Sequence, residues 1–274
     1  MAKPTKEDWK KLDADLDVMV KAAEGKIGRL YAEQLKDFRV YLAGLFEKWG
    51  EDVTGWISPK RQEQLSRILQ DKTGILYDGV KDIIEPALSG IYTASFATTL
   101  TLVEAALGTT IRGTLSTAAV DTAIKTPMGG LTIDIRLDKW KIDTATRIQS
   151  HVVTGLQRGD DYRKISAGLK DVFGSSATNM ATIINTEGHR AEIQAGNEIA
   201  ERAVQEGVKV LKTWISMRDG KVRDSHSELD GTTIPFEEKF RSSAGGEGDP
   251  GEMGTAEDDI NCRCLLAYSV DEKE

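Results

Sequence analysis

The sequence reads Trp214-Ile215-Ser216-Met217-Arg218-Asp219-Gly220 at the point where its pattern changes, and continues with Arg223-Asp224-Ser225-His226, Leu229-Asp230-Gly231 and Asn261-Cys262-Arg263-Cys264. Both cysteines of the 274-residue chain and one of its three histidines fall in this run. Asp-Gly pairs are turn dipeptides, so the run predicts tight turns and loops. Everything upstream of it has the pattern of a helical scaffold.

In that scaffold the apolar residues recur every three or four positions, the period of an amphipathic helix. The first helix is predicted over residues 6–49, with a stripe that includes Trp9, Leu12, Leu16, Tyr41, Leu45 and Trp49. Such a narrow stripe needs a partner, from the same chain or from a second subunit. Packing within a bundle and self-association through this helix are therefore both open.

A further helix is predicted to begin at Ser58-Pro59 and to present Leu65, Ile68 and Leu69, and others are predicted at 75–107, 115–124, 137–156, 161–173 and 177–206. Pro86 is expected to break the helix at 75–107, because proline removes a backbone donor, and Gly174-Ser175-Ser176 is expected to end the helix at 161–173. Short strands are predicted at 131–135, 208–215, 232–236 and 265–270.

The clearest break in the chain is Thr126-Pro127-Met128-Gly129-Gly130. We therefore predict an α+β fold that is mainly α-helical. A long N-terminal helical arm covers 1–130, and a second domain covers 131–274. That domain has helices over 137–206 and a small β-rich, loop-rich cap over 208–270.

Composition limits the classes of function. A net charge of −8 argues against a broad nucleic-acid surface. One segment is nevertheless comparatively basic, which indicates either a solvated helix face or a contact to DNA; its residues are Lys139, Lys141, Arg147, Arg158, Arg163, Lys164 and Lys170. The uncharged stretch 86–103 is rich in Ser, Thr and Gly, so a buried helix is expected rather than a membrane span. Two cysteines one residue apart make no disulfide framework and favour a reduced, cytosolic compartment.

Metal binding is the first chemical interpretation of the C-terminal run. Zinc favours thiolate and imidazole ligands in tetrahedral sets, which makes His226, Cys262 and Cys264 candidate ligands. Asp224 is the candidate carboxylate ligand, with Asp219 and Asp230 as further options. The enzymatic alternative is a zinc-dependent hydrolase or nuclease centred on the same three residues. The deaminase pattern fails, since those enzymes need Cys-x-x-Cys.

The favoured interpretation needs no chemistry: turns and paired charges hold the cap in a fixed shape. On this view there is no catalytic residue. The residues concerned, called the clasp below, are Glu187, Trp214, Asp219, Arg223, His226, Asp230, Gly231, Asn261, Cys262, Arg263 and Cys264. Glu187 shares a helix face with Arg190, either against the cap or in solvent. His151 and His189 have no partner pattern and are expected to be structural.

A family resemblance rests on the order of these motifs. The run from Lys212-Thr213-Trp214 to Ile260-Asn261-Cys262-Arg263-Cys264, including Gly248-Asp249-Pro250, resembles the C-terminal domain of phage Mu F-like minor head proteins, also called head morphogenesis proteins. Thr186-Glu187 matches a segment that usually reads Arg-Thr-Glu, with Asn185 in place of the arginine. The resemblance covers about residues 137–268.

The resemblance implies a virion component of a tailed phage or prophage that is made in the host cytoplasm. Proteins of this kind are low-copy structural components of the capsid interior and portal vertex. Expected partners are the portal protein, the major capsid or scaffolding protein, and packaged DNA; no stable membrane insertion is expected. Combined with the stripe, it suggests portal docking through Trp9, Leu12, Leu16, Tyr41, Leu45 and Trp49. It implies no enzymatic activity, and the only cofactor considered is structural zinc.

Overall fold

A computed structural model describes residues 3–50, 56, 58–126 and 131–270. Five helices come first: α1 (Lys6–Trp49), α2 (Pro59–Leu107), α3 (Thr117–Lys125), α4 (Ile133–Gln157) and α5 (Tyr162–Gln205). The C-terminal part contains β1 (Val210–Ile215), α6 (Asp224–Ser227), β2 (Thr233–Pro235), β3 (Phe240–Arg241), β4 (Glu247–Gly248), α7 (Ala256–Asp259) and β5 (Leu265–Val270). The prediction of a mainly helical chain with a small β-rich cap is confirmed.

Local chemistry explains where the helices begin and end. The Asp8 carboxylate accepts from the Thr5 N–H and from the Thr5 hydroxyl, both at 2.7 Å, which satisfies a free backbone donor at the start of α1. Pro59 is the first residue of α2, where its missing N–H costs nothing. Ser116 caps α3 by accepting from the Ala119 N–H at 3.1 Å. After α5, Gly207 has a φ of 89°, the left-handed conformation that ends many helices.

Four local predictions are wrong, and in each case a longer buried stripe overrides a short signal. The helices predicted from residue 58 and from residue 75 are the single helix α2, because Leu69, Thr73 and Leu76 are buried across the predicted junction. Helix α2 continues through Pro86 because Ile84, Leu88 and Ile91 are buried on both sides of it. Residues 131–135 form no strand, because the stripe that begins at Ile133 has helical spacing. Helix α5 continues through 174–176: Ser176 is buried, and its hydroxyl lies 2.8 Å from that of Thr144 on α4.

By contacts, the chain divides into two compact units that do not follow sequence order. Unit 1 contains Met1–Ala22, Glu85–Thr132 and Thr182–Glu274; unit 2 contains Ala23–Ile84 and Ile133–Ala181. Helices α1, α2 and α5 each contribute residues to both units. The division predicted at residue 130 stays a prediction, and residues 127–130 lie outside the described part.

Unit 2 is helical, and aromatic side chains are prominent in its interior. Tyr31 lies against Trp140 and Phe173, with ring centroids 5.9 and 6.5 Å apart. Phe38 also contacts Phe173, at 6.2 Å. At one end the Arg39 guanidinium donates to the Ser166 carbonyl at 2.9 and 3.0 Å. All seven residues of the basic segment named above also lie in this unit, six of them on α4 and α5 and Arg158 between the two helices.

Unit 1 contains the cap. Its three-stranded antiparallel sheet has the order β2-β1-β5, and Trp214 on β1 pairs with Leu266 on β5. A two-stranded ribbon, β3-β4, pairs Phe240 with Gly248. Trp214 is fully buried and contacts Phe240 edge to face at 5.2 Å.

The stripe on α1 is largely covered by the chain itself. Trp9, Leu12, Leu16, Leu45 and Trp49 are buried and Tyr41 is half-buried. Trp9 packs on Tyr268 of unit 1, and Trp49 packs on Trp56 of unit 2. The sequence leaves open whether this face of α1 packs within the chain or against a second subunit, and in the structure it packs within the chain. Portal docking through these six side chains stays a prediction. Within the described residues, no helix is long and apolar enough to cross a membrane.

Candidate functional site

Three metal-ligand side chains of the clasp meet in the interior of unit 1. His226 projects from α6, while Cys262 and Cys264 lie just before β5; each is at most 2% exposed. The His226 Nδ1 atom lies 3.7 Å from the Cys262 sulfur and 3.5 Å from the Cys264 sulfur. All three ligand atoms lie within 4.8 Å of one another. The fold therefore brings together the soft-donor set that the sequence singles out.

Asp224, the predicted carboxylate ligand, lies outside this cluster. It is exposed on the first turn of α6, two residues before His226. Residues two apart on a helix point to opposite sides, so the turn that buries His226 directs Asp224 outward. Asp219 and Asp230 are not in the cluster either.

Asp258 fixes the orientation of His226. Its carboxylate accepts from His226 Nε2 at 3.1 Å, from the Ser242 hydroxyl at 2.7 Å and from the Thr255 hydroxyl at 3.0 Å. Burial alone would raise the pKa of Asp258, but these hydrogen bonds and the imidazole lower it. With a proton on Nε2, the lone pair on Nδ1 faces the two sulfurs.

A second cluster lies beside the first and was not predicted. The ligand atoms of Asp13, His189 and Glu192 lie within 4.8 Å of one another. His189 Nδ1 is 3.7 Å from a Glu192 carboxylate oxygen, while His189 Nε2 is buried with no hydrogen-bond partner among the described residues. Only the His189/Glu192 spacing of three on a helix could have indicated this pairing.

The two clusters meet at Cys262. Burial on its own would lower the pKa of His189, but the neighbouring Cys262 thiol and Glu192 raise it well above its usual value. The Cys264 thiol, aided by the two imidazoles, holds the pKa of Cys262 well below its usual range, whereas the pKa of Cys264 is raised. A lowered pKa favours the thiolate, the form of cysteine that binds metals. An open cavity of about 640 Å³ is lined by Cys262, His189 and Asp13.

Helix α5 also carries a buried ion pair. Arg190 and Glu187 are each 1% exposed, and the Arg190 Nε atom donates to Glu187 at 2.9 Å. The guanidinium also donates to the carbonyls of Ala123 and Ile124 at 3.1 and 3.3 Å. Those carbonyls lie in the last turn of α3, where a positive charge is favourable. Glu187 is thus in the interior rather than on a solvated face.

Other clasp residues hold the loops by hydrogen bonds. The Asp230 carboxylate accepts from the Lys6 ammonium and the Ser216 N–H, both at 2.8 Å, and also from Arg218. Arg263 and Asp219 form a bidentate pair at 2.7 and 2.8 Å.

The same loops contain backbone features that fit a fixed shape. Arg223 donates to the Ile260 carbonyl, and the Asn261 N–H donates to the Thr186 hydroxyl of α5 at 3.1 Å. Gly231 and Asn261 have φ values of 85° and 54°, the left-handed region that Gly and Asn tolerate best.

Comparison with known proteins gives three findings. Residues 146–267 match a family described as "Phage Mu protein F like protein". The chain is 26% identical to the "Minor head protein GP7" of Bacillus phage SPP1 over 274 residues, which cover 98% of this chain and 89% of that protein. It is 28% identical over 148 residues to the "NAD(+)--arginine ADP-ribosyltransferase EFV" of Enterococcus faecalis; these are 54% of this chain and 30% of that protein. No solved structure matches.

Proposed function

We propose that this protein binds the portal during assembly of a tailed-phage head and stays in the virion as a low-copy component. Through residues 146–267 the chain belongs to the phage Mu F-like head morphogenesis proteins. The observation that carries the proposal is similarity to a minor head protein over 98% of this chain. A match of that extent covers both compact units, so it concerns the whole chain rather than the cap alone.

The geometry of the cap supports a structural role. Charged side chains of the clasp join segments of the chain: Asp230 joins the start of α1 to the cap loops. Arg190, the partner of Glu187, joins α5 to α3. A surface that must fit a fixed partner benefits from such rigid loops, because fewer conformations are lost on binding. On this view the cap presents a preformed surface to other head proteins.

Co-expression with the portal protein of the same phage or prophage genome tests the proposal. We expect the two proteins to co-purify at moderate salt, and we expect mass spectrometry to find the chain in purified heads. The portal protein of an unrelated phage is the matched control and should not retain it. Failure to bind the cognate portal, together with absence from purified heads, would overturn the proposal.

Contact with packaged DNA is the finer part of the proposal. Lys139, Arg158, Arg163, Lys164 and Lys170 are exposed in unit 2, and a cavity of about 620 Å³ is lined by Arg147, Arg158 and Lys164. Binding through phosphates weakens steeply with salt. Titration of labelled duplex DNA at two salt concentrations should show that loss, and an Arg158→Ala/Lys170→Ala variant should reduce the slope. Absence of measurable binding at low salt would remove DNA from the list of partners.

Catalysis is not part of this proposal. The name of the Enterococcus faecalis protein describes a transferase, but the match covers 30% of that protein. The zinc-hydrolase alternative is not favoured either, since its three residues are used in the interior of the cap. Incubation with labelled NAD⁺ and an arginine-rich acceptor should give no transfer of label above that of a boiled sample. Transfer that survives repurification would show an enzyme.

A further inference from the structure

We propose that Cys262, Cys264, His226 and His189 together form a tetrahedral site for one zinc ion that joins α5 to the cap. The inference concerns the interior of unit 1 and is independent of whether the chain joins a phage head. It goes beyond the sequence prediction in its fourth ligand, since His189 replaces Asp224.

The spacing of the first three ligands fits a metal. Zinc–sulfur and zinc–nitrogen bonds of about 2.3 and 2.0 Å, at tetrahedral angles, place a sulfur and a nitrogen about 3.5 Å apart. The observed sulfur-to-Nδ1 distances are 3.7 and 3.5 Å, to Cys262 and Cys264. Both thiols therefore lie at ligand spacing from one imidazole nitrogen, with no rearrangement of the chain.

The surroundings of His226 also fit. A histidine that binds a metal through one ring nitrogen usually donates from the other to a carboxylate, which fixes the ring and increases its basicity. Asp258, which is fully buried, accepts from His226 Nε2. Two hydroxyl groups hold that carboxylate in turn. A buried histidine without a metal would need only one hydrogen-bond partner for Nε2, whereas here the accepting carboxylate is itself held by two hydroxyl groups.

His189 supplies the second, independent observation. It is 92% buried, and its Nε2 atom has no hydrogen-bond partner among the described residues, which is costly for a polar group in an interior. Its Nδ1 atom lies toward Glu192, as the outer nitrogen of a ligand should. Cys262 is its neighbour. His189 lies outside the group of three ligand atoms that are within 4.8 Å of one another, so a zinc ion bound by Cys262 would give its Nε2 a partner after a movement of the His189 ring.

A site with four protein ligands is closed and therefore structural. The cavity lined by Cys262 and His189 offers a path for the ion to enter. His189 comes from α5, His226 from α6, and the cysteines from the segment before β5, so one ion would fasten three separate segments. Its removal should loosen the cap without changing the helices of unit 2.

The test uses the full chain, purified without a polyhistidine tag. Elemental analysis should find one zinc per chain. Replacement by Co²⁺ should give the intense visible bands of a tetrahedral site and sulfur-to-cobalt charge-transfer absorption. Cys262→Ser and His226→Ala should remove these bands, and Asp258→Asn should weaken Co²⁺ binding about 10–100-fold. His151→Ala, which changes a histidine of unit 2, is the matched control and should leave the spectrum intact.

The fourth ligand has its own test. His189→Ala should shift the cobalt bands and weaken binding, whereas Glu192→Gln should keep the four-ligand spectrum. A His189→Ala variant with the wild-type spectrum and affinity would overturn the role of His189. If a variant fails to fold, Co²⁺ titration of the wild-type chain after chelation still decides the matter: protein without bound zinc and without cobalt–sulfur absorption would overturn the whole site.

Discussion

The buried pair of Glu187 and Arg190 provides the sharpest test of the clasp. Removing one partner of a buried ion pair leaves an uncompensated charge in the interior, which costs about 3–5 kcal/mol. For Glu187→Gln we expect a loss of stability at the lower end of this range, because the Glu252 carboxylate lies 3.8 Å from the Arg190 guanidinium and compensates its charge in part. For Arg190→Met we expect the upper end, since the carbonyls of Ala123 and Ile124 also lose a donor.

The double variant separates the ion pair from general loss of packing. With both charges removed, no unpaired charge remains in the interior. The loss of stability of the double variant should therefore be smaller than the sum of the losses of the two single variants, with a coupling energy of about 2–3 kcal/mol. Urea unfolding at neutral pH, followed by circular dichroism and tryptophan fluorescence, measures all three. The control is Glu63→Gln on α2: its pair with Arg67 has side chains 63% and 73% exposed, so it should cost less than about 0.5 kcal/mol. Single variants that cost no more than this control would refute the reasoning.

Two further predictions concern the cap. Burial alone would raise the pKa of Asp230, but hydrogen bonds from Lys6, the Ser216 N–H and Arg218 lower it to about 2. The contribution of this carboxylate to the free energy of unfolding is therefore complete above pH 4 and is lost as the pH falls from about 4 to about 2. Asp230→Asn should therefore cost about 1–2 kcal/mol at pH 6, after screening at the exposed Arg218, and much less near pH 2; a difference from wild type that does not change with pH would contradict this. Gly248→Ala should destabilise by about 2–3 kcal/mol in thermal unfolding, because its Cβ would lie 2.1 Å from the Glu252 carbonyl oxygen. Gly28→Ala on α1, with open space around it, should stabilise slightly; equal effects of the two changes would argue against the tight approach at β4.

The helices and the cap strands could be predicted from the sequence where the period extends over many residues. Helix α1 covers the predicted residues 6–49, and β5 covers 265–270. The failures come from short signals. Pro86 and 174–176 are breakers in isolation, but buried stripes pass through both, and burial of those stripes outweighs a weak local preference.

The site divides in the same way. His226, Cys262 and Cys264 could be predicted because donor types that zinc prefers are rare in this chain. His189 could not, because it lies 73 positions before Cys262 in the sequence and only the fold brings them together. The burial of Arg190 could not be predicted from the sequence either. Its partners include backbone carbonyls of α3, and because every residue has a carbonyl group, no residue type indicates such a contact.

The contact between Lys6 and Asp230 spans 224 positions of the chain, which has a consequence for biosynthesis. Lys6 is made before Asp230, and the carboxylate that holds it is made only after all of α1 to α5. Until then the start of α1 must wait without its partner, and closing so long a loop is slow. The chain should therefore complete unit 1 only after the cap segment has been made and its strands are free to pair.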